Sequence, residues 1–118
     1  MTKRAKQFRA NLASIKKLEA EGWTVGTVEQ RIPNCFITRD LFGFIDLVAM
    51  APSRGFLAVQ ATGGGNMAAR VSKIRQEARA GLWLASGGRI QVHDWVKRKG
   101  QKQRECKIME IKISEAQP

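Results

Sequence analysis

The chain of 118 residues is predicted to form one α/β (α+β) domain, in which a helix, three strands, a helical region and further strands follow one another. Three observations indicate this class: an amphipathic segment opens the chain, short apolar runs follow it, and glycine-rich breaks flank a basic helical segment. Elements in this order pack in layers around one core. The length suits a single domain, so we expect residues 1–118 to fold as one unit with mobile ends.

The elements of the first half are predicted from periodicity and turn residues. The first helix covers about residues 3–21 and ends at Gly22, and its inward face carries Phe8, Leu12, Ile15 and Leu18. Strands follow over residues 23–29, 43–50 and 56–62, and a Pro-Ser-Arg-Gly turn joins the last two. Residues 31–34 interrupt this series, and residues 35–38 form either a short edge strand or part of a loop.

The second half begins with three glycines at 63–65, which we interpret as a flexible hinge because no Lys and Ser/Thr of a phosphate loop follow them. Asn66 is predicted to cap a basic helix over about residues 67–76, with Ala68, Val71, Ile74 and Ala78 inward. A short helix over 80–85 ends at Ser-Gly-Gly, and strands at 89–95 and 106–113 complete the domain.

The charge of the chain indicates a polyanionic partner. Lys and Arg number 21 against 10 Asp and Glu, which gives a net charge of +11. The basic residues are concentrated in two segments: Lys3, Arg4, Lys6, Arg9, Lys16 and Lys17 near the N-terminus, and Lys97, Arg98, Lys99, Lys102 and Arg104. Because binding to phosphates releases counter-ions, such clusters favour nucleic acid. The alternative is that they only keep the surface solvated.

Membrane and secretory functions are not supported by the sequence. No apolar run reaches the length of a membrane span, and no secretory signal follows the basic start, so we expect no membrane partner. Cys35 and Cys106 lack metal-ligand spacing and lie in apolar surroundings. We therefore expect free, buried thiols in a reducing cytoplasm.

Polar residues inside the apolar strands predict a metal site. Asp46 is enclosed by apolar neighbours, and a buried, unpaired carboxylate requires a cation or strong hydrogen-bond donors. Gln60 lies in the next strand, and the intervening turn permits antiparallel pairing with Asp46. Oxygen ligands of this kind suit Mg²⁺ or Mn²⁺, and the further candidates are Glu29, Asp40 and Thr62. His93, the single histidine, is predicted to be a packed or surface strand residue and not a general base.

The order of helix, strand, Ile45-Asp46-Leu47-Val48-Ala49, turn, a strand ending in Gln60-Ala61-Thr62, and a basic helix resembles the PD-(D/E)XK nuclease superfamily. Archaeal-type and phage Holliday-junction resolvases are the most similar branch, and the resemblance covers about residues 8–97. It implies a restriction-endonuclease-like core with a mixed central sheet, and Mg²⁺- or Mn²⁺-dependent hydrolysis of branched DNA in DNA recombination. It also implies a homodimer in the cytoplasm of a bacterial or archaeal host, with a phage gene as one origin.

The resemblance also assigns roles to residues. Asp46 would be the principal metal ligand, and Gln60, Glu29, Asp40 and the Ala61 carbonyl would complete or orient the coordination shell. Lys73 or Arg70 would stabilise charge on the phosphate. The DNA backbone would be held by basic residues, namely Lys3, Arg4, Lys6, Arg9, Arg39, Arg70, Lys73, Lys97, Arg98 and Lys99.

Three positions depart from the family pattern. Asn11 stands where the first helix of the family carries an acid, and Gln60 and Thr62 stand at the places of the acid and the lysine of the family's (D/E)-x-K tripeptide, as in phage-borne members with Gln-x-Thr. Either Glu29 and a cation of the next helix replace these groups, or the chain is a non-catalytic nucleic-acid-binding module on a degenerate nuclease fold. Two weaker alternatives are a basic surface for an acidic protein partner and an ordinary basic α/β domain.

Overall fold

The computed structural model of the protein describes residues 8–34 and 38–112, and a mixed β-sheet lies at its centre. Within these residues the sheet has five strands: β1 (Thr24–Thr27), β4 (Leu47–Ala51), β5 (Gly55–Gly63), β6 (Arg89–Val96) and β7 (Glu105–Ile111), in the order β1-β4-β5-β6-β7. Neighbouring strands are antiparallel except β5 and β6, which are parallel. The predicted α/β class with a mixed sheet is confirmed at this level.

Helices cover both faces of the sheet. Helix α1 (Ala10–Ala20) packs on one face, while α2 (Met67–Arg75) and α3 (Ala78–Ala85) form the crossover that connects the parallel strands β5 and β6. The alternation of side chains along β5 explains the two layers. Leu57 and Val59 join the core under Leu18 of α1, whereas Ala58 joins the core under Val71 and Ile74 of α2.

The first helix differs from its prediction. It begins at Ala10, after the extended residue Arg9, and the predicted turns over residues 3–7 lie outside the described residues. Phe8 and Leu12 are exposed instead of inward, because the helix turns Ser14 and Leu18 to the sheet. The predicted stop is confirmed, since Gly22 adopts a left-handed φ of 93° after the last turn.

The connection between β1 and β4 contains a second, two-stranded sheet. Strands β2 (Gln30–Arg31) and β3 (Thr38–Arg39) pair with each other in antiparallel fashion, while the predicted edge strand or loop at residues 35–37 lies outside the described residues. The strand predicted from residue 43 begins only at Leu47. Residues 41–45 form a tight turn instead, closed by reciprocal backbone hydrogen bonds of 2.9 Å between Leu41 and Ile45.

A distant carboxylate replaces the predicted cap of α2. Asn66 occupies the N-cap position, but its side chain donates to the Gly63 carbonyl and accepts no bond from the helix. The buried Asp94 carboxylate of β6 accepts from the backbone N–H groups of Gly65 and Met67. The predicted inward positions Ala68 and Ala78 are exposed, because α3 already begins at Ala78 and turns Ala80 into the core.

The structure bears on two sequence predictions, one about membrane-spanning segments and one about the cysteine thiols. In the described ranges, no helix has both the length and the hydropathy that crossing a membrane requires. Cys106 has a free thiol, as predicted, but it is half-buried instead of buried, and desolvation raises its pKa to about 11. Cys35 and both chain ends lie outside the described residues.

Candidate metal centre

Three carboxylates from separate parts of the chain converge at one end of the sheet. Glu29, Asp40 and Asp46 each place an oxygen within 4.8 Å of the others. Glu29 follows β1, Asp40 follows β3, and Asp46 directly precedes β4. The predicted candidates Glu29, Asp40 and Asp46 are therefore neighbours in space, although up to seventeen positions separate them in the sequence.

The register of the β4–β5 hairpin places Asp46 beside Gln60. Leu47 pairs with Val59, so Asp46 lies one step further, opposite Gln60, as the predicted antiparallel pairing requires. The Asp46 backbone N–H donates to the Val59 carbonyl at 3.0 Å, and the Ala61 backbone N–H donates to Asp46 Oδ2 at 3.0 Å. The hairpin thus fixes one oxygen of the carboxylate.

Short hydrogen bonds hold the other two acids in place. The backbone bond from Val28 N–H to the Asp46 carbonyl, 3.0 Å, extends the β1–β4 pairing and brings Glu29 alongside. Asn11 Nδ2 of α1 donates to Glu29 Oε2 at 2.9 Å, and Gln60 Nε2 donates to Asp40 Oδ2 at 3.2 Å. Each acid therefore accepts a neutral donor and not a cationic one.

The cluster holds its negative charge at an electrostatic cost. The pKa of Asp46 is raised to about 8, mainly by burial and also by the hydrogen bond and negative charge of Asp40, while the bond from the Ala61 N–H lowers it. Asp46 is 6 % exposed, and among the described residues no ion pair joins any of the three acids to a cation. No described cation therefore neutralises these acids by direct contact.

The amide of Gln60 leaves one buried oxygen without a partner. Gln60 is 2 % exposed, and its Oε1 accepts no hydrogen bond from any described residue. The donor Nε2 faces the Asp40 carboxylate, and this bond fixes which end of the amide carries the oxygen. A buried, unpaired oxygen costs about 1–3 kcal/mol unless a further partner binds it.

These groups line a cleft of about 370 Å³ with a basic rim. Asp40, Asp46 and Gln60 contribute its acidic part, and Arg39, Arg70 and Lys73 contribute the cations. Arg70 and Lys73 lie one turn apart on α2 and face the same side of that helix. Among the described residues, none forms an ion pair or hydrogen bond with the side chains of these three cations.

The donor set fits a hard divalent cation. Carboxylate and amide oxygens are the protein ligands that Mg²⁺ and Mn²⁺ prefer, and sulfur or imidazole is absent from the described lining of the cleft. Such a cation would offset two of the three negative charges that the ionised acids carry, and would offer Gln60 Oε1 a partner. The raised pKa of Asp46 is consistent with a ligand that releases a proton when a metal binds.

Other predicted site residues lie away from this cleft. Thr62 is buried in β5 but does not belong to the described cleft lining, so it does not occupy the place of a catalytic cation. Arg9 is exposed before α1, while Lys97, Arg98 and Lys99 are exposed after β6, where Arg98 pairs with Glu105 at 3.1 Å. The predicted DNA-binding residues Lys3, Arg4 and Lys6 lie outside the described residues.

The sequence pattern gave Asn11 no role, although the structure shows that it orients Glu29. Its position contained a usable signal, because Asn11, Ser14 and Leu18 follow the spacing of one helix face. Two polar residues on a face that also carries a buried leucine indicate buried hydrogen-bond partners. Their identity depends on long-range packing and could not be derived from the helix itself.

A second buried polar cluster lies on the α1 side of the sheet. Trp95 Nε1 donates to Ser14 Oγ at 2.9 Å, and Ser14 Oγ lies 2.8 Å from His93 Nδ1. Gln91 Nε2 donates to Glu110, which turns Gln91 Oε1 toward His93 Nε2 at 2.9 Å. His93 therefore carries its proton on Nε2 and accepts from Ser14. Both Ser14 and His93 are 0 % exposed, so of the two predicted alternatives for His93, packed or surface strand residue, the structure shows the packed one.

Comparisons of the chain with protein-family models, with curated proteins and with solved structures found no match. The function is therefore argued from the geometry and chemistry of the cleft.

Proposed function

We propose that the protein is a divalent-cation-dependent endonuclease that hydrolyses phosphodiester bonds in DNA, with branched DNA as the expected substrate. The observation that carries this proposal is that acids and cations line one cleft without an ion pair to any described residue. The acids suit a metal ion, while the cations suit the phosphates of a polyanion. A net charge of +11 supports a nucleic-acid substrate over a small neutral one.

Some residues of the cleft would bind the metal ion, and others would bind the substrate. Asp46, Glu29 and Asp40 would hold Mg²⁺ or Mn²⁺ with the Gln60 oxygen, and the Ala61 carbonyl is a further candidate ligand. When bound there, such a cation polarises a phosphate oxygen and lowers the pKa of an attacking water. Asn11 keeps Glu29 oriented, as hydrogen bonds behind a ligand do in other metal sites.

The cations of the rim would orient and stabilise the phosphate. Lys73 and Arg70 both line the cleft beside Asp46, so either side chain can meet the charge that develops on the scissile group. Arg39 lies on β3, one of the two strands of the small sheet, and also lines the cleft. Exposed basic residues elsewhere, including Lys97 and Lys99, would position the DNA backbone without selecting a sequence.

The resemblance to PD-(D/E)XK nucleases supports this proposal at the level of layout. The features that support a restriction-endonuclease-like core are a helix on one face, an antiparallel pair with Asp46 opposite Gln60, and a basic helix directly after β5. The resolvase branch would add a homodimer and a role in DNA recombination. Glu29, held by Asn11, stands in for the acid that the family carries on its first helix.

A non-catalytic nucleic-acid-binding protein is the second candidate. It is favoured by Thr62, which replaces the family's lysine and lies outside the described cleft lining. Lys73 or Arg70 must then supply the cation if the protein cuts DNA. Binding to an acidic protein is less well supported, and a steep loss of DNA affinity with salt would distinguish nucleic acid as the partner.

The proposal is tested by cleavage of a labelled four-way junction and its matched linear duplex with Mg²⁺, Mn²⁺ or EDTA. We expect metal-dependent cutting that the substitution Asp46→Asn reduces at least about a hundredfold, since metal catalysis supplies several kcal/mol. Glu19→Gln, which removes an exposed carboxylate of α1, is the matched control and should cut normally. Tight binding without cutting under every cation would leave the binding module, and absence of DNA binding would refute both.

A further inference from the structure

An exposed aromatic side chain stands next to the acidic cleft in an unfavourable backbone conformation. Phe42 has a φ of 55°, and Gly43, which follows it, has a φ of 78°. Gly43 tolerates the left-handed region, whereas a bulky residue there is an outlier, and Asn is the side chain most often accepted in its place. The Phe42 ring is nevertheless 42 % exposed, so it gains little from burial in return for this conformation.

The turn that carries Phe42 is closed by backbone hydrogen bonds and adjoins the site. Asp40 starts the turn and Gly43 lines the cleft, so Phe42 lies between two residues of the site. Backbone bonds from Gly43 to Asp40 and from Phe44 to Leu41 close the turn on both sides of the ring. Gly43 and Lys73 line both the cleft and a second cavity of about 210 Å³.

Helix α3 supports the ring from one side. The Arg79 guanidinium carbon lies 5.9 Å from the Phe42 ring centroid, and Arg79 is itself bound by Glu77. A cation against one part of an aromatic ring fixes its position and leaves the exposed part free for another planar group. An unstacked nucleobase is such a group, and every base offers an aromatic face.

We propose that Phe42 is a stacking platform for an unpaired nucleobase of the DNA held in the cleft. Arg39, Arg70 and Lys73, which pair with no described residue, attract phosphates to the neighbouring surface, and this brings the bases of that strand within reach of the turn. A continuous duplex keeps its bases stacked on each other, whereas a branch point or gap exposes them. Phe42 therefore selects DNA with unstacked bases, an inference that rests on the proposed function and deepens it.

The test distinguishes loss of the Phe42 ring from disruption of the turn. Phe42→Asn removes the ring while keeping a residue that accepts a left-handed φ, and Phe42→Trp keeps an aromatic face. Phe56→Ala is the matched control, because Phe56 is 57 % exposed and lies at the start of β5, four residues before Gln60. Binding is measured in EDTA, so that strands stay intact, on a four-way junction, a gapped duplex and a continuous duplex. A 2-aminopurine at the branch point or gap reports stacking through its fluorescence.

We expect Phe42→Asn to weaken binding to the junction and the gapped duplex at least about fivefold, to leave duplex binding unchanged, and to abolish the 2-aminopurine response. Phe42→Trp should restore these properties, and Phe56→Ala should match the wild type. If wild-type protein binds and cuts but Phe42→Asn behaves identically, the stacking site is refuted while the nuclease remains. If wild-type protein binds no DNA, the proposed function fails first. A dimer that Phe42→Asn converts to monomer would assign the ring to a protein contact and overturn the inference.

Discussion

Two clusters of buried polar side chains lie at this sheet, and they differ in how completely their members are paired. In the cluster around His93, each polar group has a complementary partner, from Trp95 and Ser14 through Gln91 to the Arg89–Glu110 ion pair. In the cluster around Asp46, like charges face each other and the Gln60 oxygen has no described partner. Both have buried residues at their centres, Ser14 and His93 in one and Asp46 and Gln60 in the other, so burial alone does not distinguish them.

The difference indicates which cluster serves stability and which serves binding. A fully satisfied network stabilises a fold because no group loses its hydrogen bonds on burial. An incomplete network lowers stability unless something absent from the chain completes it. The Ser14–His93 pair therefore joins α1 to β6, whereas the acidic cluster is the part of the molecule that we propose binds a cation. A buried serine next to a histidine would otherwise suggest a nucleophile, but neither side chain reaches solvent.

The largest expected effect is a stability difference of opposite sign between the two clusters. His93→Ala removes a fully buried ring and leaves Ser14 and Gln91 without partners, so it should lower the free energy of unfolding by about 3–5 kcal/mol. Asp46→Asn relieves repulsion and should raise it in EDTA by about 1 kcal/mol. Urea denaturation at pH 8 measures both.

Mn²⁺ added to the same samples sharpens this contrast. His93→Ala should keep the stabilisation by the ion, and Asp46→Asn should lose it. If His93→Ala is too unstable to purify, His93→Gln tests the same network with a smaller loss of volume. Stabilisation of Asp46→Asn by Mn²⁺ would contradict the assignment of cation binding to the acidic cluster.

The next largest effect is on how the free energy of unfolding depends on pH. Asp46 should lower it as the pH rises, whereas His93 should lower it as the pH falls. Asp46 has a pKa of about 8 in the fold and an ordinary value near 3.8, so its contribution to stability is present at low pH and is lost as pH rises to 8. His93 has a pKa lowered by burial to about 4, so its contribution is present above 6.5 and is lost as pH falls to 4.

Between pH 6.5 and 8, we expect the titration of Asp46 to dominate the change in the free energy of unfolding. In EDTA the free energy of unfolding should fall by about 2 kcal/mol over that interval, and Asp46→Asn should remove the slope. Urea denaturation at both pH values checks this. A wild-type slope that persists in Asp46→Asn would assign the titration to other groups.

The smallest expected effect concerns Asn11, which belongs to α1 but acts on the acidic cluster. Asn11→Ala removes the donor to Glu29 and should weaken Mn²⁺ binding about tenfold, as loss of a ligand's hydrogen-bond partner does in other metal sites. Isothermal titration calorimetry measures the affinity. Leu12→Ala, the exposed neighbour, is the control, and equal affinities in both variants would show that Glu29 needs no orienting partner.

Local features of the chain were predictable where the interacting residues are close in sequence. The hairpin of β4 and β5 follows from two apolar runs around a Pro-Ser-Arg-Gly turn, and its register places Asp46 opposite Gln60. Gly22 and the Ser-Gly-Gly break ended their helices as predicted. In these cases the turn brings the partners together, so pattern and spacing carry enough information.

Contacts between distant segments were not predictable in the same way. Asp94, and not Asn66, caps α2, because the parallel pairing of β5 with β6 brings a carboxylate from 27 residues away. Phe8 and Leu12 fit the apolar periodicity of a helix, yet they are exposed because α1 meets the sheet through Ser14 and Leu18. Periodicity identifies the elements but does not determine which face the neighbouring layer covers.

By itself, the sequence determined the fold class and the basic character of the protein, and it named Asp46, Gln60, Glu29 and Asp40 as candidates for one site. Only the tertiary structure decided that oxygens of the three acids lie within 4.8 Å of one another, that Thr62 stays outside the described cleft lining, and that Arg39, Arg70 and Lys73 line the same cleft as Asp40 and Asp46. The physical reason is the range of the interactions. Hydrophobic alternation and turn geometry act over a few residues, whereas electrostatic clustering depends on which distant segments the folded sheet brings together.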